Sequence, residues 1–319
     1  MAQPHELVWQ EAARTVLNGR FGEISESQVH QTWGDRVVVE ATTSQFPAGV
    51  VLKASAEFSV RLEADTARRA KEAGIPAPAI LAEGSDDRLP GRDWFVMSKA
   101  SGQPWESVTQ SDVQRAKTLD DIGHTFALLH SVKMRGYGPL TLKPDLSGHY
   151  PSWSSWLRAA LLSWGQPLVH EGYLPSNFMS MTEDVLRALV SEIDNIPPSL
   201  LHGDLGDREV FVDPVSGAVT AIVDWGGALA GDPLYDFARF VAGGPADDER
   251  PALYRPGVKQ AYAKYTGCAP AALETNTSYL YEMHNAVGNA FWCLREAPSW
   301  IEDLCAYAMS MVAKLSSGA

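Results

Sequence analysis

The sequence predicts an α+β fold in two lobes, a small antiparallel-sheet lobe with one main helix followed by a larger, mainly helical lobe. Three observations carry that expectation. β-branched runs punctuated by turn residues fill the chain before about residue 98, helical periodicity dominates after about residue 110, and 319 residues exceed the ~250 to 300 at which single cores stop growing.

Leu7, Val8, Ala12, Val16 and Leu17 recur at helical spacing, and Asn18-Gly19-Arg20 follows as a stop, so an opening helix spans 5–20. From 36 to 53 the runs RVVVEA and GVVLKA predict two antiparallel strands, joined through a turn containing Pro47 and Gly49. A helix over 57–73 ends at Gly74, with Pro76 and Pro78 beyond it, before another extended segment. RDWFVMSKASGQPW, residues 92–105, reads as a strand running into a polar connector. The division therefore falls at 98–105, with one lobe over 1–98 and the other over 99–319. In the second lobe AKTLDDIGHTFALLHSV, WSSWLRAALLSW, MTEDVLRALVSEI and most of 233–316 have helical periodicity, and GGPADDERP, 243–251, is a loop between helices.

Bulk composition narrows the function. Hydrophobic residues at 45% and charged ones at 20% describe a folding chain and not a disordered one. The net charge of -13 offers nucleic acid no overall attraction. No run of eighteen apolar residues and no leader pattern occur, so a cytoplasmic protein with no membrane partner is expected. Cys268, Cys293 and Cys305 are odd in number and widely spaced, which reads as reduced core thiols.

The stretch 200–240 holds the chemistry. LHGDL places Asp204 directly after an apolar lead-in, and VFVDPVSGAVTAIVDW reads as a hairpin looped at PVSG. If Asp213 pairs with Ala218, Glu209 lies opposite Ile222 and shares a sheet face with Asp224, a diagonal of roughly 7 to 8 Å. Carboxylates converging in this way repel unless a cation lies between them, and Mg²⁺ suits hard oxygen donors.

These blocks resemble the aminoglycoside phosphotransferase family, which has a bilobal protein-kinase-like fold. The matching residues are His202, Gly203 and Asp204, then Glu209 where the family has Asn, then Val223, Asp224 and Trp225, and finally Gly231, Asp232, Pro233 and Asp236. The resemblance implies that Asp204 is the catalytic base or hydroxyl-orienting group, with His202 beside it as a catalytic residue. It implies Asp224 as metal ligand with Glu209 standing in as an oxygen donor, and Asp232 and Asp236 as braces of the loop. Lys53, ending VVLK, resembles the phosphate-binding lysine, and Glu63 its ion-pair partner. Gly34, Asp35 and Arg36 would cover the phosphates, and Met97, Ser98 and Ala100 would face the purine. The implied cofactors are ATP or GTP with Mg²⁺, and the protein would act as a monomer or homodimer.

The acceptor would be a small molecule bearing a hydroxyl. An antibiotic of the aminoglycoside, hygromycin or capuramycin type is expected first, and a metabolite such as choline, homoserine or a sugar second. A pseudokinase that binds nucleotide without turnover is the competing class, motivated by Glu209. Trp153, Trp156 and Trp164 have helical spacing and read as core, and acidic Asp247, Asp248, Glu249, Glu282, Glu302 and Asp303 read mostly as solvated faces.

Overall fold

The computed structural model describes residues 4–31, 35–142, 145–241 and 250–317. The chain divides into two compact units: 1–108 with 209–214 and 219–227, and the remainder. The first is built mainly of strands and the second mainly of helices, the α+β composition that the sequence predicts. Among the described residues no helix is long and apolar enough to cross a membrane.

In the first unit α1 (Pro4–Phe21) precedes five strands: β1 (Ile24–Gln31), β2 (Arg36–Thr43), β3 (Val50–Ser55), β4 (Ile80–Ser85) and β5 (Asp93–Ser98). They form one antiparallel sheet in the order β1-β2-β3-β5-β4. Burial alternates along β2, as in a strand with one face on the core, whereas every residue of β3, the middle strand of the five, is buried. Ala12, Ala13 and Leu17 of α1 pack with Val37, Val39, Leu52 and Val96 of the sheet into one core. Polar β1, ISESQVHQ, is a strand that sequence patterning misses. Its residues suit an edge, where only one side pairs and unpatterned polar side chains meet water.

Helix α2 (Val60–Glu72) starts where the Ser59 hydroxyl accepts from the Leu62 N–H. It ends before Gly74, whose positive φ of 88° an L side chain rarely adopts. The first unit also holds the small sheet β11-β10-β6, made of β6 (Gln103–Pro104), β10 (Val210–Val212) and β11 (Val219–Ile222). Gly102 makes the approach of β6 possible: its φ is +86°, and a Cβ there would lie 2.5 Å from the Val212 carbonyl oxygen.

The second unit carries α3 (Asp112–Ser131), α4 (Trp153–His170), α5 (Phe178–Ile193), α6 (Leu234–Val241), α7 (Arg250–Thr266), α8 (Asn276–Glu296) and α9 (Ile301–Ser317). Four short strands that helical periodicity conceals, β7 (Tyr137–Thr141), β8 (Ser147–Tyr150), β9 (Ser199–Leu201) and β12 (Leu229–Gly231), form a sheet in the order β8-β7-β12-β9. Capping boxes at Ser111 and Ser152 satisfy the first N–H groups of α3 and α4.

Trp153 and Trp156 are core residues, packed with Tyr235, Tyr281 and the inner faces of α5, α8 and α9. Trp164 packs only partly against that core. Cys293 and Cys305 are buried free thiols, whereas Cys268 is half-buried beside the Thr266 hydroxyl and lies outside the core expected for it. The expected loop over 243–251 lies almost wholly outside the described residues, Asp247, Asp248 and Glu249 included.

Candidate active site

Two groups of polar residues, one in each unit, gather the positions singled out in the sequence. In the first, Lys53 sits on central β3 opposite Val38 and Phe95 and is almost fully buried. Burying an ammonium without a partner is prohibitive. Its Nζ donates to Oε1 of Glu63 and to Oδ1 of Asp224, each at 2.8 Å. The Phe58 ring lies below it, 5.1 Å from Nζ, with the Arg36 guanidinium 4.5 Å from the same ring.

Burial works against the charge of Lys53, but Glu63 and then Asp224 outweigh it and hold its pKa above the usual lysine range. Glu63 is enclosed completely, and burial pushes its carboxyl up, with Lys53 offsetting part of the rise and Asp224 adding to it. Two carboxylates therefore share one ammonium, and burial leaves the deeper one, Glu63, easier to protonate than a free carboxyl. Glu63 Oε2 is buried with no hydrogen-bond partner, in keeping with that strain.

Asp224 reaches Lys53 by leaving the strand. It follows β11 with φ +61°, one of two non-glycine residues with positive φ among those described, and this turns the backbone out of the pleat. Gly226 lies alongside: a Cβ there would sit 3.4 Å from Glu63 Oε2 and 3.5 Å from Asp224 Oδ1.

The hairpin register differs from the expected one. Val210 pairs with Ile222 and Phe211 with Ala221, and an irregularity between Phe211 and Val212 absorbs one residue. Glu209 is therefore opposite Val223, whose N–H donates to the Glu209 carbonyl at 3.0 Å. A one-residue slip exchanges faces, so register does not bring Glu209 and Asp224 to one face of the sheet as reasoned from the sequence.

Among the described residues no group of three His, Cys, Asp or Glu side chains could by itself hold a metal. Mg²⁺ at nucleotide sites takes one or two carboxylates and completes its shell with phosphates and water. The half-exposed Asp224 carboxylate, anchored by an ammonium, fits that pattern.

The remaining nucleotide-side expectations fall as follows. Gly34 lies outside the described residues. Asp35 is exposed, its carbonyl accepting from the Ala56 N–H, and Arg36 pairs with Glu57 at 3.0 Å. Met97 and Ser98 end β5, opposite Val51 and Val50. The Ser98 N–H donates to the Ala79 carbonyl and its hydroxyl accepts from the Ala79 N–H. Ala100 follows in the connector.

The second group surrounds the loop after β9. Buried Asp236, in the first turn of α6, accepts from the backbone N–H groups of His202 at 3.0 Å and Gly203 at 2.7 Å. It also pairs with His130 Nε2 at 3.0 Å, which ties α3 to the loop. Asp232 receives the Leu234 N–H and the Tyr281 hydroxyl, and burial nevertheless pushes its carboxyl up. Both aspartates bond backbone N–H groups and side chains of neighbouring helices.

His202 is completely buried, and its Nδ1 has no hydrogen-bond partner. Asp204 is half-exposed, and its Oδ1 lies 2.6 Å from Nη2 of Arg239 on α6. Arg239 was missed in the sequence because no motif marks it. The available signal was its spacing, three residues after Asp236 and hence on the same helix face.

A model of the phosphotransferase enzyme family, APH, matches residues 29–272. Among solved structures, the ternary complex of a thermostable mutant of aminoglycoside phosphotransferase APH(4)-Ia with AMP-PNP and hygromycin B superposes with a TM-score of 0.73 at 17% identity, covering 97% of this chain and 100% of that one. A fructosamine-3-kinase candidate from Haemophilus somnus 129PT gives 0.68 at 13% identity, over 98% and 99%. The GDP complex of aminoglycoside 2'-phosphotransferase-IIIa gives 0.63 at 15%, over 95% and 98%. Identities this low speak for the fold. Curated relatives include acyl-CoA dehydrogenase family member 11 of Pongo abelii, 24% identical over 170 residues, or 52% of this chain and 21% of that protein. The Gallus gallus protein of that name is 27% identical over 173 residues, 52% and 20% respectively. The matched part of the chain thus spans about a fifth of the length of these relatives.

Proposed function

We propose that this chain, which belongs to the phosphotransferase enzyme family, moves the γ-phosphoryl group of ATP or GTP to a hydroxyl of a small molecule, with an antibiotic of aminoglycoside or nucleoside type as the first acceptor class. The observation that carries the reading is the buried contact of Lys53 with both Glu63 and Asp224, an arrangement too costly to keep for packing alone.

Phosphoryl transfer asks the protein mainly for positioning and charge neutralisation. Lys53, fixed by Glu63, would meet the phosphates as a desolvated cation. Asp224 would hold Mg²⁺, which when bound would neutralise phosphate charge. Asp204, on a loop whose backbone Asp236 secures, would accept a hydrogen bond from the acceptor hydroxyl and take its proton as the new P–O bond forms. Met97, Ser98 and Ala100 would flank the purine, and Asp35 and Arg36 the phosphates.

The Lys53–Glu63 pair and the braced loop support turnover over nucleotide binding without chemistry. The relatives named for aminoglycosides support an antibiotic acceptor. The structural likeness to a fructosamine-3-kinase candidate supports a second reading, a sugar or amino-alcohol metabolite as acceptor.

The test is nucleotide turnover by the purified protein, with ATP and GTP each supplied with Mg²⁺. It is run against aminoglycosides, nucleoside antibiotics, sugars, choline and homoserine, with Asp204→Ala as control. Acceptor-dependent release of ADP or GDP that disappears in Asp204→Ala is expected. Turnover unchanged in that variant would remove Asp204 from the mechanism, and Mg²⁺-independent nucleotide binding without turnover would favour the pseudokinase.

A further inference from the structure

We propose that Arg239 is a positioning residue for phosphoryl transfer, holding the Asp204 carboxylate from α6 while Asn289 of α8 holds the guanidinium in turn. The inference rests on the reading of Asp204 as the group that meets the acceptor hydroxyl.

Three observations converge on it. Arg239 uses different nitrogens for its two partners: Nη2 lies 2.6 Å from Asp204 Oδ1, and Nη1 donates to Asn289 Oδ1 at 2.8 Å. A planar guanidinium carries donors in fixed directions, so it serves the two partners at once from different nitrogens. Second, the same face of α6 grips the loop twice. Asp236 takes the backbone N–H groups of His202 and Gly203, and Arg239, three residues on, takes the Asp204 side chain. Third, α6 is itself anchored, because Tyr235 bonds the buried His284 Nδ1 at 3.0 Å and Asp236 bonds His130.

Energetics separate positioning from stability. Asp204 is 47% exposed and Arg239 29%, and ion pairs at such exposure contribute little to folding. A pair of so little worth to folding, built into a two-point clamp, acts by restricting the carboxylate to one orientation. Misplacing a reacting group by about 1 Å costs on the order of a hundredfold in rate.

The experiment compares wild type, Arg239→Ala, Asn289→Ala, Asp204→Asn and the Asp204→Asn/Arg239→Ala double variant. Mg²⁺–ATP turnover is read with water as the acceptor, and again with any hydroxyl compound that stimulates it. Urea midpoints report whether each variant is folded. Arg239→Ala should lower kcat by about ten- to a hundredfold with KM for ATP within about twofold, and Asn289→Ala by a few-fold in the same sense. The double variant should be no slower than Asp204→Asn, because Arg239 acts only through that carboxylate. A folded Arg239→Ala with wild-type kcat overturns the proposal, as do losses that multiply in the double variant. Wild-type turnover by Asp204→Asn would instead overturn the assignment of Asp204 on which the proposal stands, and the two failures are read from different variants.

Discussion

Acidification should weaken this protein through one buried histidine, and His284→Gln should remove that weakness. His284 lies on α8, completely enclosed, with the Trp156 and Trp164 rings each 4.9 Å from its own and its Nδ1 bonded to the Tyr235 hydroxyl. Its Nε2 is buried without a hydrogen bond, and the Leu157 backbone, which favours the charged ring, offsets only part of the cost of burial. Burial accordingly pulls its pKa down to about 3. Below the unfolded value of about 6.5 the unfolded chain takes up a proton that the folded chain refuses, so stability falls as pH drops through that value. The loss between pH 7 and pH 5.5 is about 1.3 kcal/mol, at 1.36 kcal/mol per pH unit of differential proton binding. That figure is governed by the unfolded pKa, because pH 5.5 stands well above about 3. It also keeps the protein clear of its sequence pI of about 5.0, where solubility would interfere. Urea unfolding of wild type and His284→Gln at both pH values isolates the effect, since other titrating groups are common to the two. Wild type should lose about 1.3 kcal/mol more than the variant over that interval. Parallel losses would refute the reasoning and mean that the imidazole gains a proton in the folded state as readily as in the unfolded one.

Lys53→Met should lower nucleotide turnover by at least about a hundredfold and destabilise the fold by about 3 kcal/mol, since Glu63 and Asp224 lose their shared cation. Glu63, already raised, would then take up a proton, so the destabilisation should be smaller at pH 6 than at pH 8; urea midpoints at the two values check the sign. Asp236→Ala leaves the His202 and Gly203 N–H groups and the His130 imidazole unmet in a dry setting and should cost about 3 kcal/mol or more, with turnover falling alongside; a near-neutral urea midpoint would show that the loop is held by something else. Gly102→Ala places a methyl against the Val212 carbonyl at a φ of +86° and should cost about 1 to 3 kcal/mol by thermal or urea unfolding; a stable variant would mean that β6 need not lie where it does.

Most of the long elements were legible in the sequence because their signals are local. Helical spacing located α1, α2 and the long helices of the second unit, and β-branched runs located β2, β3 and β5. β1, β7, β8, β9 and β12 were not legible, since a polar edge strand and three- to five-residue strands are too short or too irregular to show a period of two. The hairpin at 210–222 was seen but its register was not. One absorbed residue between Phe211 and Val212 changes which side chains share a face, and nothing in a stretch of valines marks it.

The sequence by itself determined the family and the identity of the candidate chemical groups. The spacing of His202 and Asp204, Asp224, Asp232 and Asp236 lies within forty residues, and a motif is a local object. Only the tertiary structure decided what those groups touch. Lys53 meets Asp224 across 171 positions of chain, Asp236 meets His130 across 106, and Arg239 reaches both Asp204 and Asn289 without belonging to any motif. The physical reason is that a buried charge or hydrogen-bonding group must find its partner wherever packing supplies one, and packing between distant segments leaves no periodicity in the sequence to read.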